Sequence, residues 1–221
     1  MTAVESTEEF AEARLPMAAA VVASMVLTLL LPDDLRLGPQ WLLPLIEGLL
    51  LLTLIIGDPG RITRRSAVLH NLSIALVGVL GAGAVWSTLR LTSQIIHGGP
   101  DTDSPTDLLQ SGSTVWVSGI LAFTLLYFEL DAGGPAARAH RMPDVPDLAF
   151  PQHLNAELGG TSWRPKFIDY LYLGITNALA FSPTDVMPLV PWGKIAMAVQ
   201  SLISFAILGL VLAKAINILP P

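Results

Sequence analysis

FIDYLYLGITNALAF, residues 167–181, then SPTDVMPLVP, residues 182–191, then an apolar run over 192–219 that begins WGKIAMAVQSLI, decide how this chain is organised. The last run is long enough to cross a membrane, which takes about twenty apolar residues with a range of about 17 to 25. The first is not: it has about fifteen residues and carries Asp169 and Asn177. A backbone that stops at mid-membrane depth is tolerated only where protein or a water-filled cavity surrounds it. Residues 167–181 are therefore predicted to form a short re-entrant helix, followed by a turn over 182–191 and a full span over 192–219.

Working outward, four further apolar runs precede residue 131. The first covers 15–31 and is stopped by Pro32, Asp33 and Asp34; the second covers 40–56 and is stopped by Gly57, Asp58, Pro59 and Gly60. Both ends are turn chemistry. The third covers 67–96 and carries Gly78, Gly81 and Gly83, small residues that allow another helix to approach closely. The fourth covers 112–130, with Trp116 and Tyr127 near its ends, where amphipathic rings favour the interface, and Glu129 and Asp131 at its exit. Residues 131–166 are rich in Pro, Gly and charge and show neither helical nor strand period, which predicts an ordered or flexible aqueous loop. The expected fold is an all-α polytopic bundle of five or six spans with a short re-entrant helix before the last. It divides into a cytosolic tail 1–14, a three-helix region 15–111 and a pore-like region 112–221.

Composition agrees with a lipid environment. Only 14% of residues are charged and 52% are hydrophobic, against about 25% charged in an ordinary soluble domain. The mean hydropathy is +0.59. The chain has no cysteine, which excludes disulfides, thiolate metal sites and cysteine nucleophiles. A net charge of −6, with 12 thinly spread Lys and Arg, argues against nucleic acid. The four glutamates Glu5, Glu8, Glu9 and Glu12 against a lone Arg14 do not make the basic start of a signal peptide, so the first apolar run is expected to be retained.

Catalytic patterns are absent. His70, His97, His140 and His153 are far apart, no paired-His, nucleophile-elbow or phosphate-loop motif occurs, and Asp144, Asp147, His153 and Glu157 read as a solvated loop. No enzyme activity, cofactor or metal is expected. Glu47 is different, because it lies inside the second apolar run, where an ionisable group suggests an ion or proton path. Its structural alternative is a carboxyl that satisfies backbone groups opened by Pro44 and Gly48. His70 and Asn71 read as interfacial anchors, and Arg90 and Lys214 as side chains that snorkel or cap helix ends. The cluster Arg61, Arg64 and Arg65 predicts a cytoplasmic loop, and Asp101, Asp103 and Asp107 an external one. Both termini lie inside if 167–181 crosses; a re-entrant segment leaves them on opposite sides.

Asp169, Leu171, Tyr172 and Thr176, leading to Phe181-Ser182-Pro183-Thr184-Asp185 and then Pro188, Trp192, Gly193 and Lys194, resemble a potassium-channel pore domain. That family has a short pore helix (D-A-L-Y-F-S-V-V-T-L-T), a T-V-G-Y-G-D filter, a downstream Pro, a basic residue and an inner helix. The resemblance covers 167–217, with 112–130 as the outer helix. It departs at the filter: Ser182 and Thr184 stand where the glycines would be and Pro183 where the tyrosine would be. Pro fixes φ near −65° and has no N–H, so the resemblance implies a pore lined by the side chains of Ser182, Thr184 and Asp185 and not by carbonyls. Trp163 to Tyr172 and Phe181 to Pro188, W-R-P-x-F-x-D-Y-L-Y and F-S-P-T-D-x-M-P, are also similar to an uncharacterised family of bacterial multi-pass membrane proteins, which implies a membrane location and no particular activity.

The functional expectation is a cation-channel-like pore in the cell membrane, with Thr176, Asn177, Phe181, Ser182, Pro183, Thr184 and Asp185 around the axis of a homo-oligomer, a tetramer, passing a monovalent cation. The alternatives are a small secondary transporter that uses Glu47, and a non-conducting scaffold or sensor.

Overall fold

The computed structural model describes residues 10–102, 104–143, 145–155, 157, 160, 163–179 and 185–218. It is all-helical apart from one two-residue strand pair. Helix α1 is Arg14–Leu30, α2 Leu42–Gly57, α3 Ala67–His97 and α4 Pro105–Leu130; after the α5 turn (Pro135–His140) and the α6 turn (Pro151–Leu154) come α7, Phe167–Leu179, and α8, Pro191–Ile218. Three of these, α3, α4 and α8, are long and apolar enough to cross a membrane; α1 and α2 are shorter apolar helices of 17 and 16 residues.

Local chemistry sets the ends. Leu31 is extended (ψ 142°) because the following Pro32 disfavours the helical region for its predecessor, and α1 stops there. Helix α4 starts seven residues before the expected 112, at Pro105. Pro105 suits the first helical position, and the Ser104 hydroxyl accepts from the Asp107 N–H at 3.1 Å. Trp116 therefore lies about three turns inside the helix, not near its end. Beyond α4, Ala132, Gly133 and Gly134 have φ of 52°, 79° and 94° and reverse the chain; glycine enters this region without steric cost.

Helix α4 is the central post. It packs against α1, α3, α7 and α8, and 61% of its most apolar window is buried, against 28% for α3 and α8. The outer surfaces of the other helices expose Leu52, Leu89, Leu202 and Phe205, as expected of a surface made for lipid.

Helices α1 to α4 alternate in direction. Arg14 N–H to Gly60 O and Ile62 N–H to Glu12 O, both 2.9 Å, put the start of α1 beside the end of α2. Trp86 Nε1 to Arg36 O (2.9 Å) and Arg90 Nε to Asp34 O (3.0 Å) bind the second half of α3 to the α1–α2 turn. Tyr127 bonds to Gln200 while Gly112 abuts Val211, so α8 runs antiparallel to α4. The starts of α1, α3 and α8 and the ends of α2 and α4 thus share one end of the bundle. Of the chain's 12 Lys and Arg, only Arg36, Arg90 and Lys214 lie toward the far end, which makes this the basic end.

Among the glycines, the tightest fit is at Gly174 of α7. A Cβ there would lie 2.3 Å from Thr124 Oγ1 and 3.4 Å from the Ile120 carbonyl of α4. Gly174→Ala should lower stability by about 1 to 3 kcal/mol through overpacking, seen as a drop in the thermal midpoint in detergent. Gly78→Ala, where the added carbon meets nothing within 4 Å, should leave that midpoint unchanged or slightly raised.

Candidate functional site

Asp131 organises the basic end. It is fully buried; Oδ1 accepts from the Leu148 N–H at 3.1 Å and Oδ2 from the Tyr170 hydroxyl at 2.5 Å. Arg138 donates to the carbonyls of Phe128 (2.9 Å) and Asp131 (2.7 Å) and stacks about 5 Å from the rings of Phe128 and Tyr170. The Phe167 N–H bonds to Glu12. These contacts hold the start of α7 at the end of the bundle where α4 leaves it.

Helix α7 then runs beside α4 for 13 residues, about 20 Å. Its last turns meet α8. Asn177 Nδ2 donates to Met197 O (2.9 Å) and Gln200 Oε1 (2.8 Å); Gln200 Oε1 also accepts from the Tyr127 hydroxyl (2.7 Å), and Gln200 Nε2 donates to Gly174 O (2.8 Å). Ser201 Oγ reaches Asn177 O and Oδ1, both at 3.1 Å. The chain is back at the basic end by β2, Met187–Pro188, which pairs antiparallel with β1, Leu148–Ala149. Helices α7 and α8 consequently begin at the same end.

Of the residues expected around a pore, Phe181, Ser182, Pro183 and Thr184 lie outside the described residues. Thr176 is half-buried and donates to Tyr172 O of its own helix at 2.9 Å. Asn177 is buried and bonded wholly within the chain, while Asp185 is exposed at the basic end. The exposed face of α8 between Ile195 and Leu212 presents Val199, Leu202 and Phe205 and no charged or hydroxyl group.

Glu47 sits elsewhere. It is 1% exposed, and its Oε2 has no hydrogen-bond partner. It lines a chamber with Ser24 and Thr28 of α1, Ser87 of α3, Ser118 of α4 and Arg36. The chamber's volume of about 10 Å³ is near the space one water needs. Arg36 is paired with Asp33 through one nitrogen, and its Nε and Nη1 are buried without partners. Pro44 falls in the first turn of α2, where its missing N–H opens no helical bond.

A third polar place had only weak sequence signals. Arg14 Nε donates to Asp58 O (2.8 Å) and Nη2 to Asp58 Oδ2 (3.2 Å); the same carboxylate accepts from the N–H groups of Thr63 and Arg64, both at 3.0 Å. Asp58 reads in sequence as a helix stop, and its partner is 44 positions away. Beside this pair a cavity of about 390 Å³ opens, lined by Arg64, Arg65, His70, Ser73 and Glu129. Among the described residues no group of three or more His, Cys, Asp or Glu could hold a metal. In the loop, Asp147 accepts from the Ala132 N–H (3.2 Å), and His153 stacks edge-on against Trp163.

Two outcomes follow from this geometry. Gln200→Leu should strand Tyr127 and Asn177, cost about 1 to 3 kcal/mol, and raise deuterium uptake over 171–179 while leaving 42–57 unchanged. Burial raises the carboxyl pKa of half-buried Glu12, partly opposed by the Phe167 N–H, Arg138 and Lys166 and reinforced by Asp169. The folded state then binds the proton more tightly than the unfolded one, so the wild type loses stability as pH rises from the ordinary carboxylate range through the raised value. Glu12→Gln, which keeps an acceptor for Phe167, should match the wild type at acid pH and be the more stable protein at neutral pH in parallel melts.

The chain matches no protein-family model, no curated protein and no solved structure.

Proposed function

We propose that this chain is a multi-pass protein of the cell membrane with five spans and one re-entrant helix, and that it is a carrier for a proton or small cation with Glu47 as the coupling carboxylate. The observation that carries the reading is the buried Oε2 of Glu47, without a partner, in a chamber lined mostly by apolar residues, where four hydroxyl side chains and Arg36 also reach. An unpaired carboxylate inside a membrane helix is costly unless it takes up a proton or a cation, which is the chemistry a carrier uses. Arg36, with two buried nitrogens left over, is the group placed to respond when Glu47 changes charge. Toward the basic end, apolar Val21, Leu51, Leu76 and Leu80 fill the core and separate the chamber from the Glu129 cavity, about 16 Å away along α4. A site closed on one side by an apolar plug suits alternating access.

The five-span topology draws on the shared starting end of α7 and α8 and on α7's length of about 20 Å, short of the 30 Å hydrocarbon core. The concentration of Lys and Arg makes the basic end cytoplasmic. The start of α1 then lies inside and the end of α8 outside.

The same α7–α8 geometry favours a second reading, a cation pore of four copies with Asp185 at its mouth. It is the weaker one: the exposed face of α8 is apolar, and the mouth would lie at the end richest in Lys and Arg.

Reconstituted protein should take up protons or a monovalent cation into liposomes down an imposed gradient. Glu47→Gln should reduce the initial rate about ten-fold or more, and Asp185→Asn should leave it unchanged. Flux that survives Glu47→Gln but is lost in Asp185→Asn would replace the carrier with the pore, and wild-type protein that moves neither species overturns both.

A further inference from the structure

We infer that the cavity at the basic end is a binding site for the phosphate group of an anionic phospholipid. Its volume, about 390 Å³, falls in the range of built ligand sites. Three kinds of group are found at this place: arginines with donors to spare, carboxylates with cationic or hydroxyl neighbours, and exposed apolar side chains on the flanking helix ends.

Arg14 and Asp58 neutralise each other in the wall, and Asp58 is further filled by two backbone N–H groups. Glu129 is buried, with Ser73, Arg14 and Arg138 as its polar neighbours. Arg64 and Arg65 are both exposed; Arg64 gives one nitrogen to Gly57 O at 3.1 Å, and Arg65 makes no hydrogen bond or ion pair among the described residues. Arg65 also lines an adjoining cavity with Arg141, so the cationic surface continues past the opening. The planar forks of Arg64 and Arg65 match the oxygens of a phosphate. His70 adds a ring nitrogen on the same wall.

The flank distinguishes a lipid from a free anion. Ile56, two residues before the cavity-lining Asp58, and Val68, between the cavity-lining Ala67 and Leu69, are 72% and 67% exposed, so the helix ends that carry the site also present bare apolar surface. A soluble phosphate leaves that apolar surface bare, whereas a phospholipid lays its acyl chains along it with the phosphate on the arginines. With the basic end at the cytoplasmic face, an orientation taken from the proposed topology, the cavity opens at the leaflet where anionic lipids attract basic groups.

The test uses the full chain in mild detergent, with the thermal midpoint read against added short-chain phosphatidylglycerol, short-chain phosphatidylcholine or inorganic phosphate. Phosphatidylglycerol should raise the midpoint saturably, and the other two should not. The doubly substituted Arg64→Gln, Arg65→Gln should weaken half-saturation roughly ten- to thirty-fold; Arg64→Lys with Arg65→Lys, which keeps the charges and loses the forks, should fall between that variant and the wild type, and Arg90→Gln, at the far end, should keep the full affinity. An equal response to phosphatidylcholine, a response to inorganic phosphate as large as that to the lipid, or an unchanged affinity in the double glutamine variant overturns the site. Glu47→Gln should bind phosphatidylglycerol as the wild type does, which separates this outcome from that of the carrier assay.

Discussion

A carboxylate removed from water must find donors, and Asp131 finds them on segments that the sequence keeps far apart. Tyr170 and the backbone of Leu148 fill its two oxygens, while Arg138 braces its carbonyl and lies against the rings of Phe128 and Tyr170. Losing any one of these leaves a buried charge short of donors, which costs more than the bond itself contributes. The loop after α4, the strand pair and the start of α7 are therefore fixed as a unit. Helix α8 inherits its position from that unit, because β2 pairs with β1 just before α8 begins. The direction of the last third of the chain thus depends on how one aspartate is satisfied.

The helices themselves were legible in the sequence, because their apolar runs and breakers act locally: Pro32 ends α1, and the stretch from Gly57 to Gly60 ends α2. What was not legible depended on distant partners. The prolines and charges of 131–166 read as an ordered or flexible aqueous loop, and it takes Arg138 and Asp131 to fix part of it as an ordered cap. Position 112 looked like the start of α4 because the polar residues before it hide the cap at Ser104. The bonds of Asn177 to Met197 and Gln200 are likewise invisible locally, because those two residues read as ordinary members of an apolar span.

Two buried carboxylates in the helices, Glu47 and Glu129, are handled differently. Glu129 lies among Ser73, Arg14 and Arg138, at the edge of the basic cavity. Glu47 has hydroxyl groups around its chamber and one oxygen that none of them reaches. Fold stability alone would select against the second arrangement, since an apolar residue of similar size would remove the penalty. The contrast within one bundle is the reason to treat Glu47 as functional and Glu129 as part of the structural charge network.

The depth at which α7 stops is written into α8. A helix that ends inside a bundle leaves its final carbonyls without partners, and the polar side chains of α8 lie where they can take over part of that role. Ser201 donates to the carbonyl of Asn177, one of the last four, and Gln200 adds a bond to that of Gly174, about a turn earlier. Gln200, Ser201 and Ser204 fall within five residues, and from Phe205 to Ala213 the helix is entirely apolar. Gln200 and Ser201 thus lie level with the last turns of α7, where the two helices bond to each other.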